Sequence, residues 1–367
     1  MSVNAAEVAP GDALEILGAA WRAQADGDLT ASWMLHGRPG VGKTEIVQTL
    51  AARHGAVLHD LRLSTIEPQD LRGLPYYDHE TRRTLWYPPE DLPHGDAPSV
   101  LFLDELTAAA PALQPTVYGL LQERRVGTYR LPDATLVVAA GNTVEDGAIA
   151  YEMGTALSDR LVHLVVGADA RDWVERYAVG AGIHPSVVAF LRARPDLLET
   201  TEAAIRRGET VAATPRAWTR VSRIVAAVTD RRQRHAMIAG TVGVAAAAEY
   251  ELVADEIAAA LDLEALLAAP RRDRAALYPD GLNGLTALGY ALAARATPDT
   301  IDTTIEVLAD IRDLRAPAQR ALPLAELVSF GFEVLIRKAF DRGWQAAFAR
   351  SEVYAAYMAE RDAAGLA

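Results

Sequence analysis

The stretch GRPGVGKT, Gly37 to Thr44, decides the fold of this chain. It follows a short apolar run, Ser32 to Leu35, and precedes TEIVQTLAARHG, whose apolar spacing is typical of a helix. Strand, glycine-rich loop and helix in this order match the pattern G-x-x-x-x-G-K-[ST], in which backbone N–H groups at a helix start converge on a triphosphate. The stretch therefore predicts nucleotide binding in an α/β fold.

The loop also assigns roles to individual side chains. Lys43 is predicted to reach the β- and γ-phosphates of ATP, and the hydroxyl of Thr44 to bind Mg²⁺. Lys43 and Lys338 are the only two lysines among the 36 basic residues, and an arginine fork in place of Lys43 would be larger and differently shaped. A chance glycine turn before a helix is the alternative. The predicted nucleotide-binding residues of the loop are Gly37, Arg38, Pro39, Gly40, Val41, Gly42, Lys43 and Thr44.

Two later strand ends carry further candidates. The apolar run Ser99 to Leu103 is followed by Asp104, a predicted Mg²⁺ ligand, and Glu105, a predicted general base for the attacking water. The alternative for this acidic pair is a cap on the following helix. Asn142 ends the strand of LVVAAGNT and is predicted to orient water or contact the γ-phosphate; an Asx turn is its alternative.

Continuous apolar strands alternate with helices up to about residue 166, which predicts a parallel sheet covered by helices on both faces. Beyond that point the strand signals stop. We predict three parts: an α/β core over residues 1–166, a small helical lid over 167–238 and a helical C-terminal region over 239–367.

Composition excludes several classes of protein. The 367 residues contain no cysteine, which removes disulfides and thiol catalysis, and no run of about 18 apolar residues predicts a membrane span. A net charge of −13 without a basic tail makes tight, sequence-independent nucleic-acid binding a poor expectation. The chain also lacks a basic, apolar leader at its start, so we expect a cytoplasmic protein without a membrane partner.

The order of the motifs resembles the AAA+ ATPases, and in detail their MoxR-like branch. The resemblance covers about the first 230 residues through HGRPGVGKTEIV, DLRGLP, VLFLDELTAAAPALQPTVYGLLQERRVG, AAGNT, ALSDRL and TPRAW. It implies a P-loop AAA+ core with a helical lid, a hairpin at about Leu74 to Tyr87, and a second hairpin at about Val126 to Thr135. It also implies a homo-oligomer, a hexameric ring that hydrolyses ATP and remodels a protein client, often one with a von Willebrand factor A domain.

Two arginines receive roles from the same resemblance. Arg160 in ALSDRL resembles the arginine finger that reaches a neighbouring subunit's γ-phosphate, with Arg124 and Arg125 as competitors and a helix-terminal ion pair as the alternative. Arg216 in TPRAW resembles the lid arginine that contacts nucleotide in its own subunit; a surface arginine is the alternative.

Three functional questions stay open at this stage. An AAA+ motor or loader on nucleic acid, and a nucleotide-gated scaffold with negligible turnover, are the alternative functions. Arg62 to Pro75 lies where such rings carry a pore loop but lacks an aromatic-glycine pair, so an ordinary strand-to-helix connection is equally compatible with it.

Overall fold

The computed structural model describes residues 3–142, 158–313 and 321–363. Contacts divide the chain into two compact units. The first unit comprises residues 1–169, 201–208 and 214–216, and the second comprises residues 170–200, 209–213 and 217–367. The predicted division of the helical part at about residue 238 stays a prediction.

The first unit contains ten strands within the described residues: β1 (Glu7–Val8), β2 (Ser32–His36), β3 (Val57–Arg62), β4 (Leu74–Asp78), β5 (Arg83–Tyr87), β6 (Ser99–Asp104), β7 (Arg125–Val126), β8 (Tyr129–Arg130), β9 (Thr135–Gly141) and β10 (Leu161–Val166). Six of them form a parallel sheet in the order β1-β10-β2-β9-β6-β3. All the strands predicted from apolar runs are present, and the short β1 was not predicted.

Helices cover both faces of this sheet, as predicted. Along β6, Val100 and Phe102 pack in one buried cluster with helices α1 (Pro10–Ala25) and α2 (Lys43–Arg53). Leu101 and Leu103 point to the other face and pack with α4 (Gln114–Tyr118) and the turns beside it. This alternation explains the unbroken apolar run in the sequence, because a strand buried on both faces has no solvent side. The remaining short helices of the unit are α3 (Pro68–Arg72) and Thr201–Arg207.

Two hairpins project from this unit. The predicted hairpin of Leu74 to Tyr87 is confirmed as the antiparallel pair β4 and β5. The second, β7 and β8, pairs Val126 with Tyr129 and turns at Gly127 and Thr128. Gly127 has φ +56°, a conformation that glycine adopts without a steric penalty. The predicted hairpin of about Val126 to Thr135 thus ends earlier, and a separate turn follows it, in which the Thr135 N–H donates to the Pro132 carbonyl at 3.1 Å.

The second unit is helical throughout its described residues. Among the described parts of the chain, no helix has the length and apolarity needed to cross a membrane. The α-helices of the second unit are Ala170–Asp172, Pro185–Ala193, Pro215–Ala227 (which begins in the first unit), Arg231–Val242, Val244–Ala260, Leu263–Ala268, Arg271–Arg274, Leu282–Arg295, Ile301–Asp313, Leu324–Arg342, Ala346–Arg350 and Glu352–Ala363.

Lys338 caps a helix of the second unit. Its ammonium donates to the carbonyls of Ala293 at 3.3 Å, Ala294 at 2.6 Å and Ala296 at 2.9 Å, at the end of the helix Leu282–Arg295. The last carbonyls of a helix lack the usual intrahelical donors, and here only Ala293 also accepts from a nearby backbone N–H, that of Ala296 at 3.4 Å. A cation at this end also offsets the helix dipole. Burial lowers the pKa of Lys338.

We expect Lys338→Met to lower the free energy of unfolding by about 2 kcal/mol, because hydrogen bonds from a charged donor contribute about 1.5–3 kcal/mol. Chemical denaturation measures the change. Lys338→Arg is the matched control that keeps the charge. Unchanged stability of Lys338→Met would contradict the capping role.

His184 caps the helix Pro185–Ala193 as a neutral imidazole. Its Nδ1 accepts from the backbone N–H of Ser186 at 3.3 Å, and the Ser186 hydroxyl contacts Nδ1 at 2.7 Å and the Tyr250 hydroxyl at 2.6 Å. Burial lowers the pKa of His184, and the nearby Arg234 and Arg295 lower it further. The folded protein therefore resists protonation at this position.

The free energy of unfolding should consequently decrease when pH is lowered from the unfolded-state pKa of His184 to its lower folded-state pKa. Below the unfolded-state pKa of about 6.5 the unfolded chain binds a proton that the folded chain does not, so stability declines as pH falls from there through the lowered folded pKa. We expect His184→Asn, which keeps an oxygen acceptor for the cap, to show a smaller loss of melting temperature between pH 7.5 and 5. An equal loss in both proteins would refute the assignment.

Candidate nucleotide site

The sheet order brings the predicted site residues together. Strands β2, β9, β6 and β3 are consecutive neighbours and run parallel, so their carboxyl ends meet at one edge. The glycine-rich loop follows β2, Asn142 follows β9, and Asp104 ends β6. Ligands of open parallel sheets bind at this edge.

Backbone geometry explains the glycines of the loop. Gly42 precedes α2 with φ +114°, a value that a side chain would strain. A Cβ at Gly37 would lie 2.5 Å from the carbonyl oxygen of Val166, so only glycine fits beside β10. The side chain of Val41 is buried in the core, and Arg38 pairs with Glu202 at 3.1 Å. The loop would therefore meet phosphates mainly through its backbone.

Lys43 lies at the centre of the site. Its ammonium donates to the carbonyls of Gly37 and of Arg38, the latter at 3.1 Å, and to Oδ1 of Asn142 at 2.9 Å. Asn142 is in turn held by its backbone N–H, which donates to the Thr107 hydroxyl at 3.1 Å. The structure thus joins two residues predicted from separate motifs, Lys43 and Asn142.

Thr44 and Asp104 form the second predicted pair. The Thr44 hydroxyl donates to Oδ2 of Asp104 at 3.3 Å, although the two residues are far apart in sequence. A hydroxyl and a carboxylate oxygen are the ligand types that Mg²⁺ uses beside nucleotide phosphates, so the residues present fit the cation. Asp60 on β3 adds negative charge nearby: burial raises its pKa, and the Asp104 carboxylate raises it further.

Glu105 has a strained backbone and two side-chain partners. It lies in the left-handed region at φ +59°, which is uncommon for a residue with a side chain and is concentrated at functional sites. The Ser64 hydroxyl donates to its carboxylate, and Nε of Arg62 lies 3.6 Å from Oε1. Sequence reasoning placed Arg62 only at the start of a connecting segment and did not identify Ser64. No local motif marks either residue, because only the pairing of β3 with β6 brings them to Glu105.

A pair of histidines connects the start of the glycine-rich loop to β10. Buried His36 precedes Gly37, and its Nε2 lies 2.8 Å from Nδ1 of His163 on β10. The Nε2 of His163 lies 2.9 Å from the carbonyl oxygen of Ser158 and 3.1 Å from its hydroxyl. The pair links the start of the loop to the segment that carries Arg160. The burial of His36 and its histidine partner are typical of a structural residue.

The arginines differ in what they contact. Arg160 is exposed, and residues 143–157 before it lie outside the described part of the chain. Arg216 is exposed, and its backbone N–H donates to the carbonyl of Gly40 in the loop at 3.3 Å. Arg124 donates to the carbonyls of Pro132 at 2.8 Å and Thr135 at 2.7 Å, which fixes it within its own unit. Arg125 pairs with Glu123 at 3.1 Å.

Comparison with known proteins agrees with this fold. Residues 32–161 match the family model of the AAA domain, dynein-related subfamily, and this segment contains the loop, Asp104, Glu105 and Asn142. A search of curated proteins finds no match. The α/β part of the chain is thus an AAA+ P-loop domain, and a helical region follows it.

Two of the solved structures that match this chain are only distantly similar to it. The RuvB Holliday junction branch migration motor of Thermotoga maritima is 18% identical, with a TM-score of 0.35 over 84% of this chain and 89% of that one. Hsp104, solved in a closed state with ATPγS and casein, is 15% identical, with a TM-score of 0.35 over 71% of this chain and 46% of that one.

Proposed function

We propose that this chain hydrolyses ATP with Mg²⁺ as a MoxR-like AAA+ ring and uses the cycle to remodel or assemble a protein client. The contact between Thr44 and Asp104, beside an ammonium held by Asn142, is the observation that carries the hydrolytic part. These residues supply two side chains that could bind Mg²⁺ and one cation that could bind phosphate, all at one edge of the sheet. ATP would bind through the loop backbone and Lys43.

Glu105 is the proposed general base. Its strained backbone is compatible with a functional constraint. Ser64 and Arg62 both contact its carboxylate, next in sequence to the proposed Mg²⁺ ligand Asp104. The presence of this glutamate also favours turnover over a nucleotide-gated scaffold, since a scaffold requires no base. A phosphate-release assay distinguishes these two functions.

The ring is proposed because Arg160 is exposed and lies outside the core, as a finger toward a neighbouring subunit requires. Arg216, whose backbone contacts the loop, is proposed to sense nucleotide in its own subunit. The hexamer and a client with a von Willebrand factor A domain rest on the motif resemblance alone, whereas the proposed cytoplasmic location rests on the amino-acid composition. Light scattering with an ATP analogue at high protein concentration tests the assembly.

Affinity capture with Glu105→Gln tests the client. This variant should bind ATP without consuming it and so retain a client that the wild type releases. We expect a protein to be recovered with ATP and lost with ADP, and lost again when Lys43→Ala is added to the same chain. Recovery of nucleic acid without a protein would favour a motor that acts on nucleic acid over one that remodels a protein client. Fluorescence anisotropy with random DNA and RNA at low salt checks that alternative directly.

A further inference from the structure

The two hairpins of the first unit enclose a pocket that the nucleotide site does not use. Its volume is about 200 Å³, below the usual range for small-molecule sites and sufficient for one side chain with its neighbouring backbone. One cation, Arg72, lies among walls that are polar and apolar in equal measure. The lining residues are Arg72, Trp86, Pro88, Val126, Gly127, Thr128 and Tyr129.

Arg72 is held in a fixed orientation. Its guanidinium carbon lies 4.2 Å from the ring centroid of Trp86, and the residue is exposed at the end of α3. Within residues 3–142, 158–313 and 321–363, no carboxylate forms an ion pair with it. Stacking occupies one face of the guanidinium and leaves the N–H donors at its edge able to bind a carboxylate.

The walls leave Arg72 as the only charged group of the pocket. The Tyr129 hydroxyl donates to the carbonyl of Pro93, so its polar atom has a partner within the chain. Val126 is buried. A Cβ at Gly127 would lie 3.9 Å from Nε of Arg72, so this glycine keeps space open beside the guanidinium. The pocket is therefore suited to a carboxylate whose carbon chain contacts apolar surface.

An apolar strip continues from the pocket along the hairpin. Trp86 pairs with Pro75 and Thr84 with Tyr77, so these four side chains share one face of β4 and β5. Tyr77 is 64% exposed toward the hairpin tip. An extended peptide could follow this strip, with its acidic side chain on Arg72 and an apolar neighbour near Tyr77.

From this geometry we propose that the pocket binds an acidic side chain of an extended protein segment, with the glutamate or aspartate carboxylate on Arg72. Charge complementarity favours a peptide over nucleic acid, since a single arginine on a chain of net charge −13 offers no row of phosphate contacts. The binding itself does not depend on ATP hydrolysis; only its use for client engagement rests on the proposed function.

A unique cysteine makes the test specific, because the chain contains none. Thr128→Cys at the pocket rim is equilibrated with the peptides Cys-Gly-Leu-Glu-Leu-Gly and Cys-Gly-Leu-Gln-Leu-Gly, each supplied as its mixed disulfide with 2-mercaptoethanol. Exchange in the presence of free 2-mercaptoethanol forms the protein–peptide disulfide and releases one 2-mercaptoethanol. Mass spectrometry measures the fraction conjugated. Thr30→Cys, an exposed threonine elsewhere in the same unit, is the matched control.

We expect Thr128→Cys to prefer the glutamate peptide by about twofold to fivefold, as for an ion pair at a partly open site. The preference should vanish when Arg72→Gln is added, and Thr30→Cys should show none. Arg72→Gln should keep the parent's melting temperature and its basal ATP turnover.

Three outcomes would overturn the proposal. They are equal conjugation of both peptides, a preference that survives Arg72→Gln, and disulfide-linked dimers of Thr128→Cys in place of peptide adducts, which would assign the pocket to a second copy of the chain. A parent protein without ATP turnover would instead refute the proposed function and leave the peptide result valid.

Discussion

Lys43→Ala is expected to lose ATP binding while keeping the fold. The ammonium of Lys43 is the cation placed to meet the β- and γ-phosphates, and its present partners are two loop carbonyls and Asn142 rather than the core. Removing one member of a close charge pair costs about 2–5 kcal/mol, which is roughly 30-fold to several thousandfold in Kd. Calorimetric titration with ATP and Mg²⁺ measures the loss.

The second lysine supplies the matched control. Lys338 caps a helix of the other unit, so Lys338→Met should lower stability and leave ATP affinity unchanged. We thus expect Lys43→Ala to lose ATP affinity with little change in stability, and Lys338→Met to lose stability with no change in ATP affinity. Wild-type affinity in Lys43→Ala would remove the loop from the nucleotide site.

Arg160→Ala is expected to keep ATP affinity and to lose hydrolysis on the order of 10³-fold or more. The loop and Lys43 of the same subunit are untouched, whereas an arginine finger acts mainly on the charge that develops in the transition state. Arg125→Ala is the matched control, because Arg125 is also exposed and pairs only locally with Glu123. ATP turnover and equilibrium ATP binding are measured for the wild type, Arg160→Ala and Arg125→Ala.

Mixing two inactive variants tests whether Arg160 acts in a neighbouring subunit. Glu105→Gln subunits keep the finger and lack the base, whereas Arg160→Ala subunits keep the base and lack the finger. In random rings about one interface in four then combines both, so mixtures should recover up to about a quarter of wild-type turnover. If subunits exchange and no activity returns, Arg160 is a structural residue. Arg125 would then become the candidate, since Arg124 is fixed by the carbonyls of Pro132 and Thr135.

Much of the fold was predictable because it is specified locally. The buried strands are unbroken apolar runs, such as SVLFL before Asp104, and their faces alternate between two cores. The glycine-rich loop requires residues without a Cβ at Gly37 and Gly42, and that requirement is visible in the sequence. The second hairpin turns at Gly127, whose positive φ is a conformation that glycine adopts without a steric penalty.

What the sequence determined alone is the set of chemical groups: an ammonium and a hydroxyl in the loop, an acidic pair after β6, and an amide after β9. What only the tertiary structure decided is which groups meet. The sheet order places β9 between β2 and β6, which brings Asn142 to Lys43 and leaves Thr44 in contact with Asp104. The pairing of β3 with β6 brings Ser64 to Glu105, and the two hairpins bring Arg72 into one pocket with Tyr129. Strand order depends on how the whole sheet packs, since each apolar strand is compatible with several neighbours, and no local pattern encodes that choice.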